Sequence, residues 1–183
     1  MNSQTEDGPP RAALIAALVI AVGAVIAVLV VAAVLQRSPA QEPVAITEIP
    51  APQSGSPDCR ALVDALPDRL GDYRRAELRE PAPAGAAAWQ PEESGGEALI
   101  LRCGLDRPAE FMVGAPVQMV DAVQWFQVQD PAGDGRSTWF AVDRPVYVAL
   151  TLPPGTGPTP IQSLSKTIAE KLQERPADPG PVG

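Results

Sequence analysis

Residues 12–35 read AALIAALVIAVGAVIAVLVVAAVL, a run of 24 residues without a polar side chain. As an α-helix this run is about 36 Å long, enough to cross a bilayer hydrocarbon core of about 30 Å. A helix in the core of a small soluble domain is rarely apolar on every side. The run therefore predicts a transmembrane helix over 12–35. A cleaved secretory signal is the alternative, although its apolar core usually covers only about 7 to 15 residues.

The charges beside this run do not fix its orientation, because Arg11 precedes it and Arg37 follows it. The segment before the run has only 11 residues, and both cysteines lie beyond it. Disulfides form mainly outside the cytoplasm. We therefore expect a single-pass protein of the plasma membrane, with residues 1–11 in the cytoplasm and the C-terminal domain outside it.

The chain beyond the apolar run divides into three parts. Residues 36–55 are rich in proline, which favours extended chain and prevents a helix from continuing. We expect a linker here, with room for a short edge strand over 44–49. A folded domain is predicted over 56–176, and a disordered tail over 177–183.

The predicted domain begins and ends with a helix. Ser56 is a suitable N-cap and Pro57 suits the first helical position, while residues 159–174 carry apolar side chains at helical spacing. Between these helices, apolar or alternating stretches predict strands at 73–78, 98–103, 117–129, 137–142 and 146–152. Residues 80–96 read as a loop with at most one short strand. The order indicates an α+β fold, in which a mostly antiparallel sheet of about four to six strands carries both helices on one face.

The two cysteines, Cys59 and Cys103, fall in the first helix and at the end of a predicted central strand. In an exported domain such a pair usually forms a structural disulfide. Free thiols and a redox pair are the alternatives, but redox dithiols usually lie two residues apart. We expect a structural disulfide.

Composition excludes several kinds of chemistry. The chain contains no histidine, which removes serine–histidine and cysteine–histidine nucleophiles and histidine zinc ligands. The part after residue 35 has 20 acidic and 13 basic residues, and a net negative charge repels nucleic acid. We expect no nucleic-acid partner, no metal and no cofactor.

Ser163 and Lys166 match the serine–lysine motif of penicillin-binding enzymes. The companion motifs S-D-N and K-T-G are absent, and the domain is shorter than those enzymes. We expect both side chains on the exposed flank of the C-terminal helix. A serine–lysine hydrolase is therefore the least favoured function.

Asp106-Arg107-Pro108 and Asp143-Arg144-Pro145 repeat one tripeptide. Turn formation is the simpler interpretation, because aspartate bonds nearby backbone amides and proline fixes the next dihedral. The alternative is a ligand site in which Arg102, Arg107 and Arg144 surround an acidic ligand. Arg102 is also able to bond Asp143 or a carbonyl at a strand end.

The three tryptophans, Trp89, Trp125 and Trp139, are expected in the core. An exposed one would be able to stack against a sugar or a side chain of a partner.

Several segments together resemble a known family. They are Cys59 with Leu62, Ala65, Leu66 and Pro67; Leu101-Arg102-Cys103-Gly104 with Arg107-Pro108; Trp125; and Val142-Asp143-Arg144-Pro145-Val146-Tyr147-Val148. They resemble the actinobacterial membrane proteins grouped as domain of unknown function 3515, over about residues 11–176. The resemblance implies an envelope protein with an N-terminal anchor, a cysteine pair and an α-β-α domain. It implies no activity, cofactor or catalytic residue.

The sequence thus favours a non-enzymatic module of the cell envelope that holds another envelope protein or a wall component near the membrane. A small-ligand-binding domain that uses Arg102, Arg107 or Arg144 is the second hypothesis.

Overall fold

The computed structural model describes residues 11–35, 41–92, 95–130 and 133–181. The chain divides into two compact units, which meet in sequence at Ala40 and Gln41.

The first unit contains α1 (Arg11–Leu35), a single continuous helix. Its segment Leu14–Ala32 is long and apolar enough to cross a membrane, and none of that segment is buried. Lack of burial distinguishes it from the core helix of a soluble protein. A membrane anchor and a signal sequence both have these properties.

The second unit is built on one antiparallel sheet of eight described strands, in the order β1-β2-β3-β4-β8-β7-β6-β5. The elements are α2 (Pro57–Ala65), β1 (Arg69–Leu70), β2 (Tyr73–Ala76), β3 (Ala86–Pro91), β4 (Leu99–Leu105), β5 (Val117–Val120), β6 (Val123–Gln129), β7 (Ser137–Ala141), β8 (Tyr147–Leu152) and α3 (Thr159–Lys171). The predicted α+β class, with helices at both ends of the domain, is confirmed.

The strand number exceeds the predicted four to six because two stretches were interpreted too simply. The alternating stretch 117–129 is a hairpin. Asp121 adopts a φ of 51° in its turn, and Val120 pairs with Val123 across that turn. Aspartate tolerates this left-handed conformation better than most residues. Within the predicted loop 80–96, β3 forms a buried strand between β2 and β4.

Both helices pack on one face of the sheet, which we call the helix face. Its core includes Leu62 of α2, Leu164 of α3 and Leu101 of β4. Trp89 and Trp125 are fully buried there. Their indole N–H groups donate to Pro67 O and Ser165 Oγ respectively, both at 2.9 Å, so neither polar atom is left without a partner.

A disulfide between Cys59 and Cys103 joins α2 to β4, with 5.6 Å between the two Cα atoms. The predicted cysteine pairing is confirmed. The bond closes a loop with a sequence separation of 44 residues. For a loop of that size, the chain-entropy model gives about 4 kcal/mol of stabilisation.

Residues 41–54, which we call the strap, lie over the opposite face of the sheet. Side chains alternate along strands, so Gln90 and Arg102 point away from the helices. Gln90 Nε2 donates to Glu42 O at 3.0 Å, and Arg102 Nη2 donates to Thr47 O at 3.3 Å. The compact unit therefore starts within the stretch predicted as a linker. The predicted short strand over 44–49 is reduced to one parallel bridge, between Val44 and Leu78.

Gly104 allows the strap to approach the sheet. Gln53 N donates to Gly104 O at 3.0 Å, and a Cβ built on Gly104 would lie 2.2 Å from Ser54 N. Gly104 also has a φ of 87°, a conformation that residues with a side chain rarely adopt. Glycine is thus required here for two reasons, backbone conformation and space.

The C-terminal segment also contacts the sheet. Met112 and Gly180 form a parallel bridge, and Gly180 N donates to Phe111 O at 2.8 Å. These bonds attach residues 177–181, which belong to the predicted disordered tail, to this part of the domain. Residues 182 and 183 lie outside the described residues.

Candidate functional site

Asp143 and Arg144 form a buried ion pair, with 2.9 Å between Arg144 Nη1 and Asp143 Oδ1. Asp143 Oδ2 accepts from Gln124 N at 3.0 Å, and Arg144 Nη2 donates to Ala122 O at 2.5 Å. Burial raises the pKa of Asp143 above its ordinary value, against the lowering effects of its bond to Gln124 N and of the Arg144 charge. The pair ties the turn before β8 to the β5–β6 hairpin, which is a role in the fold.

Arg107 lies elsewhere and pairs with Asp178 of the C-terminal segment, at 3.3 Å between Nη1 and Oδ2. Tyr147 donates its hydroxyl to Asp178 O at 3.3 Å. Both contacts are exposed, and they hold the C-terminal segment beside β8.

Arg102 has no carboxylate partner among the described residues and lines a cleft beneath the strap. Arg107 and Arg144 do not line that cleft. The structure therefore does not bring Arg102, Arg107 and Arg144 to one site. The suggested bond between Arg102 and Asp143 is also not formed, because Asp143 pairs with Arg144.

Lys166 is exposed on α3 as expected, whereas Ser163 is partly buried. The described contacts include no hydrogen bond between their side chains. Between them in the motif lies Ser165, whose hydroxyl donates to Ile161 O at 2.7 Å and accepts from Trp125 Nε1. Ser165 thus fixes the core tryptophan, a role that the motif S-x-x-K does not predict.

A cleft of about 420 Å³ opens on the helix face where β5, β6 and β7 meet the start of α3. We call it the Trp139 cleft. Trp139 packs partly against the core and partly lines the cleft, and its indole N–H donates to Ser137 Oγ at 3.1 Å. The ring position is therefore fixed from within the sheet.

Glutamine side chains from three different elements line the Trp139 cleft: Gln118 from β5, Gln127 from β6 and Gln162 from α3. Gln127 lies directly opposite Trp139 in the β6–β7 register. None of the three amides bonds another described side chain or backbone group, so each remains free to bond a ligand. No described lining residue is charged.

A second cleft lies across the loop 153–158 and shares Gly155, Thr156 and Gly157 with the first. Its wall includes Tyr73, whose hydroxyl lies 3.5 Å from Thr156 Oγ1. Glu92 also lines it. Hydrogen bonds from Arg74 and Arg69 hold the pKa of Glu92 below its ordinary value. An aromatic side chain thus stands on each side of the loop.

Sequence reasoning did not find the three glutamines, because they are far apart in the chain and have no motif. The one available signal was the number of tryptophans. Two of the three are core residues, and Trp139 is the one that reaches a cleft. Within the described part of the chain, no group of three acidic or cysteine residues is placed to hold a metal ion.

The sequence model of the family described as "Protein of unknown function (DUF3515)" matches residues 18–177. The chain belongs to this family. Curated proteins and solved structures give no match to it.

In this DUF3515 chain, the segments that carry the family resemblance contain structural contacts. Cys59 and Cys103 form the disulfide, Gly104 admits the strap, and Asp143 with Arg144 closes the hairpin. The neutral lining of the Trp139 cleft lies outside those segments. The DUF3515 motifs therefore indicate the fold, and the function has to be argued from the clefts.

Proposed function

We propose that this DUF3515 protein is a membrane-anchored, non-enzymatic binding module of the cell envelope. Its Trp139 cleft would hold a neutral, hydroxyl-rich chain such as a wall glycan. The observation that carries the proposal is an accessible tryptophan surrounded by free glutamine amides, with no charged residue in the described lining.

Two features support a location outside the cytoplasm. The α1 segment Leu14–Ala32 has the length and apolar character of a membrane anchor. The Cys59–Cys103 disulfide fits an oxidising compartment. The proposal sets the chain before α1 in the cytoplasm and the C-terminal domain on the opposite side of the membrane.

The chemistry of the cleft supports a sugar ligand. An indole ring offers an apolar face that matches the C–H face of a pyranose, and amides both donate and accept hydrogen bonds, as hydroxyl groups do. A charged wall would have to be desolvated on binding a neutral chain, and the described lining avoids that cost. The adjoining cleft adds the ring of Tyr73, but the carboxylates of Asp72 and Glu92 also line it, so the neutral site proposed is the Trp139 cleft alone.

The carboxyl groups support binding without cleavage. Glycoside hydrolysis uses a carboxylic acid whose pKa is raised, so that it is protonated near neutral pH. Among the described carboxyl groups, the raised pKa belongs to Asp143, which lies in the buried ion pair. Glu92, beside the clefts, has its pKa shifted in the opposite direction.

The test titrates the full chain in lipid nanodiscs with chitotetraose and with maltotetraose, two neutral oligosaccharides. Isothermal titration calorimetry measures the affinity of the native chain and of each variant. In the native chain, a ligand-induced change in tryptophan fluorescence indicates a ligand near Trp139, because Trp89 and Trp125 are fully buried. Trp139→Ala is expected to weaken binding by about tenfold, from loss of stacking. Absence of any oligosaccharide binding by the native chain would overturn the proposal.

A matched pair of variants separates binding from folding. Gln127 and Gln124 lie on the same strand, β6, but on opposite faces. Gln127→Ala is expected to weaken binding about fivefold by removing one hydrogen bond, whereas Gln124→Ala should leave affinity unchanged. Equal affinities of the two variants would contradict a site at the Trp139 cleft.

Another envelope protein is the alternative occupant. A photoreactive amino acid at position 162 would crosslink whatever lies in the cleft in intact cells. Adducts with glycan fragments support the proposal, and a single specific protein adduct overturns it in favour of a protein partner.

A further inference from the structure

Arg102 occupies an unusual position on the face of the sheet opposite the helices. It lies in β4, with Ala86 of β3 and Ala149 of β8 as cross-strand neighbours. Alanine has no polar side-chain atom, so neither neighbour accepts a hydrogen bond from the guanidinium through its side chain. The strap covers it, and the contact between them is the bond from Nη2 to Thr47 O at 3.3 Å.

The charge of Arg102 is not compensated within the described domain. Its Nε is enclosed and has no hydrogen-bond acceptor. Burial lowers its pKa from the ordinary value, and no carboxylate opposes that effect. Arg144, by comparison, is more deeply buried but has Asp143 beside it. A half-buried guanidinium without a counter-charge is unfavourable unless something else supplies one.

The surroundings of Arg102 form a cleft of about 470 Å³ between the strap and the sheet, which we call the strap cleft. The apolar residues Ile49, Pro50, Pro83 and Ala86 line it together with exposed polar groups. Glu48 is the one carboxylate in the described lining, and its side chain is exposed. The cleft thus combines one positive charge with small apolar surfaces.

We propose that the strap cleft binds a small monocarboxylate with an apolar body, such as the C-terminal end of an alanyl peptide, through Arg102. A guanidinium is able to donate two parallel hydrogen bonds to one carboxylate. The apolar walls would cover the adjoining methyl groups of the ligand.

Two features favour a carboxylate over a phosphate ligand. Arg102 supplies a single positive charge, which matches one carboxylate and leaves a phosphate dianion partly unpaired. Glu48 adds a negative charge at the cleft, which repels a dianion more strongly than a monoanion. The same reasoning predicts that neutralising Glu48 strengthens carboxylate binding.

The test uses the full chain in nanodiscs and two probes that differ only at the C-terminus, N-acetyl-alanyl-alanine and its amide. NMR shifts at Ala51, Ala86 and the Nε–H of Arg102 should respond to the acid and not to the amide. Arg102→Gln is expected to weaken binding of the acid at least tenfold, and Glu48→Gln to strengthen it about twofold. Arg60→Gln, at an exposed arginine of α2, is the control and should change nothing.

Folding of Arg102→Gln is checked by its Cys59–Cys103 disulfide and by its oligosaccharide binding at the Trp139 cleft, which lies on the other face. The affinity of Glu48→Gln for the acid is a second test of the cleft, and it does not depend on the folding of Arg102→Gln. The proposal is overturned if acid and amide bind equally, if Arg102→Gln binds the acid like the native chain, or if inorganic phosphate displaces the acid at equal concentration.

Discussion

The two faces of the sheet are covered in different ways. The helix face is packed by α2 and α3, with the large side chains of Trp89 and Trp125 fully buried and a disulfide across the layers. The opposite face carries small residues such as Ala86 and Ala88 beneath the strap, and a second, smaller apolar cluster that includes Phe111 and Phe126. Backbone and side-chain hydrogen bonds both hold the strap. Large apolar burial stabilises the first face, whereas the second tolerates an uncompensated arginine. We infer that stability is concentrated on the helix face. The face covered by the strap contributes less, so its residues are freer to serve ligand binding.

The largest expected effect comes from removing the disulfide on the helix face. Replacing Cys59 and Cys103 together by alanine should lower the free energy of unfolding by about 4 kcal/mol, because the unfolded chain regains the freedom of the closed loop. Urea unfolding followed by circular dichroism measures the change. A loss below about 1 kcal/mol would show that helix-face packing alone sets the stability.

The next largest effect is expected at Gly104, which lies against the strap. Gly104→Ala should cost about 2 kcal/mol or more, because a Cβ would collide with the strap in addition to the strain of a positive φ. Hydrogen exchange at the amide of Gln53 should accelerate as the strap detaches.

Gly114 is the matched control for Gly104. Its φ of 89° is nearly equal to the 87° of Gly104, but a Cβ on Gly114 meets nothing within 4 Å. Gly114→Ala should therefore show the conformational strain alone. If both variants lose the same stability, contact with the strap contributes nothing.

A smaller effect of opposite sign is expected at Arg102. Arg102→Met removes a desolvated charge and keeps an apolar chain of similar length, so it should raise the free energy of unfolding by about 1 kcal/mol. Thermal unfolding of the ligand-free protein measures it, with Arg60→Met as the exposed control. A clear loss of stability in Arg102→Met would mean that the bond to Thr47 O outweighs the desolvation.

The smallest effect is expected at Arg107. Its pair with Asp178 is exposed, so Arg107→Ala should change the free energy of unfolding by less than about 0.5 kcal/mol. Hydrogen exchange at the amide of Gly180 should increase slightly, since that segment loses one anchor. A loss above about 1 kcal/mol would assign the C-terminal segment to the stable part of the domain.

Local sequence signals predicted the helices and the general class of the fold. The cap at Ser56 with Pro57 placed α2, and Ser56 Oγ does accept from Cys59 N at 3.2 Å. The apolar stripe placed α3, whose Ile161, Leu164 and Ile168 are buried. These signals succeed because they depend on neighbours within one or two turns of the chain.

The candidate sites could not be predicted in the same way. Gln118, Gln127, Trp139 and Gln162 come from four elements that meet only after the sheet has formed. The sequence singled out Arg102, but not its surroundings. Asp143, its suggested partner, pairs with Arg144, and Arg107 pairs with Asp178. No local rule indicates which of several arginines will find a carboxylate once the chain is folded.

The sequence by itself determined the apolar helix, the helix–strand–helix order and the pairing of two cysteines. Composition and short-range periodicity are sufficient for these features. Only the tertiary structure decided that residues 41–54 lie over the sheet, that 117–129 turns back at Asp121, and that Arg102 faces a cleft without a counter-charge. These features depend on contacts between residues far apart in the chain, whose energies appear only when the whole sheet is assembled.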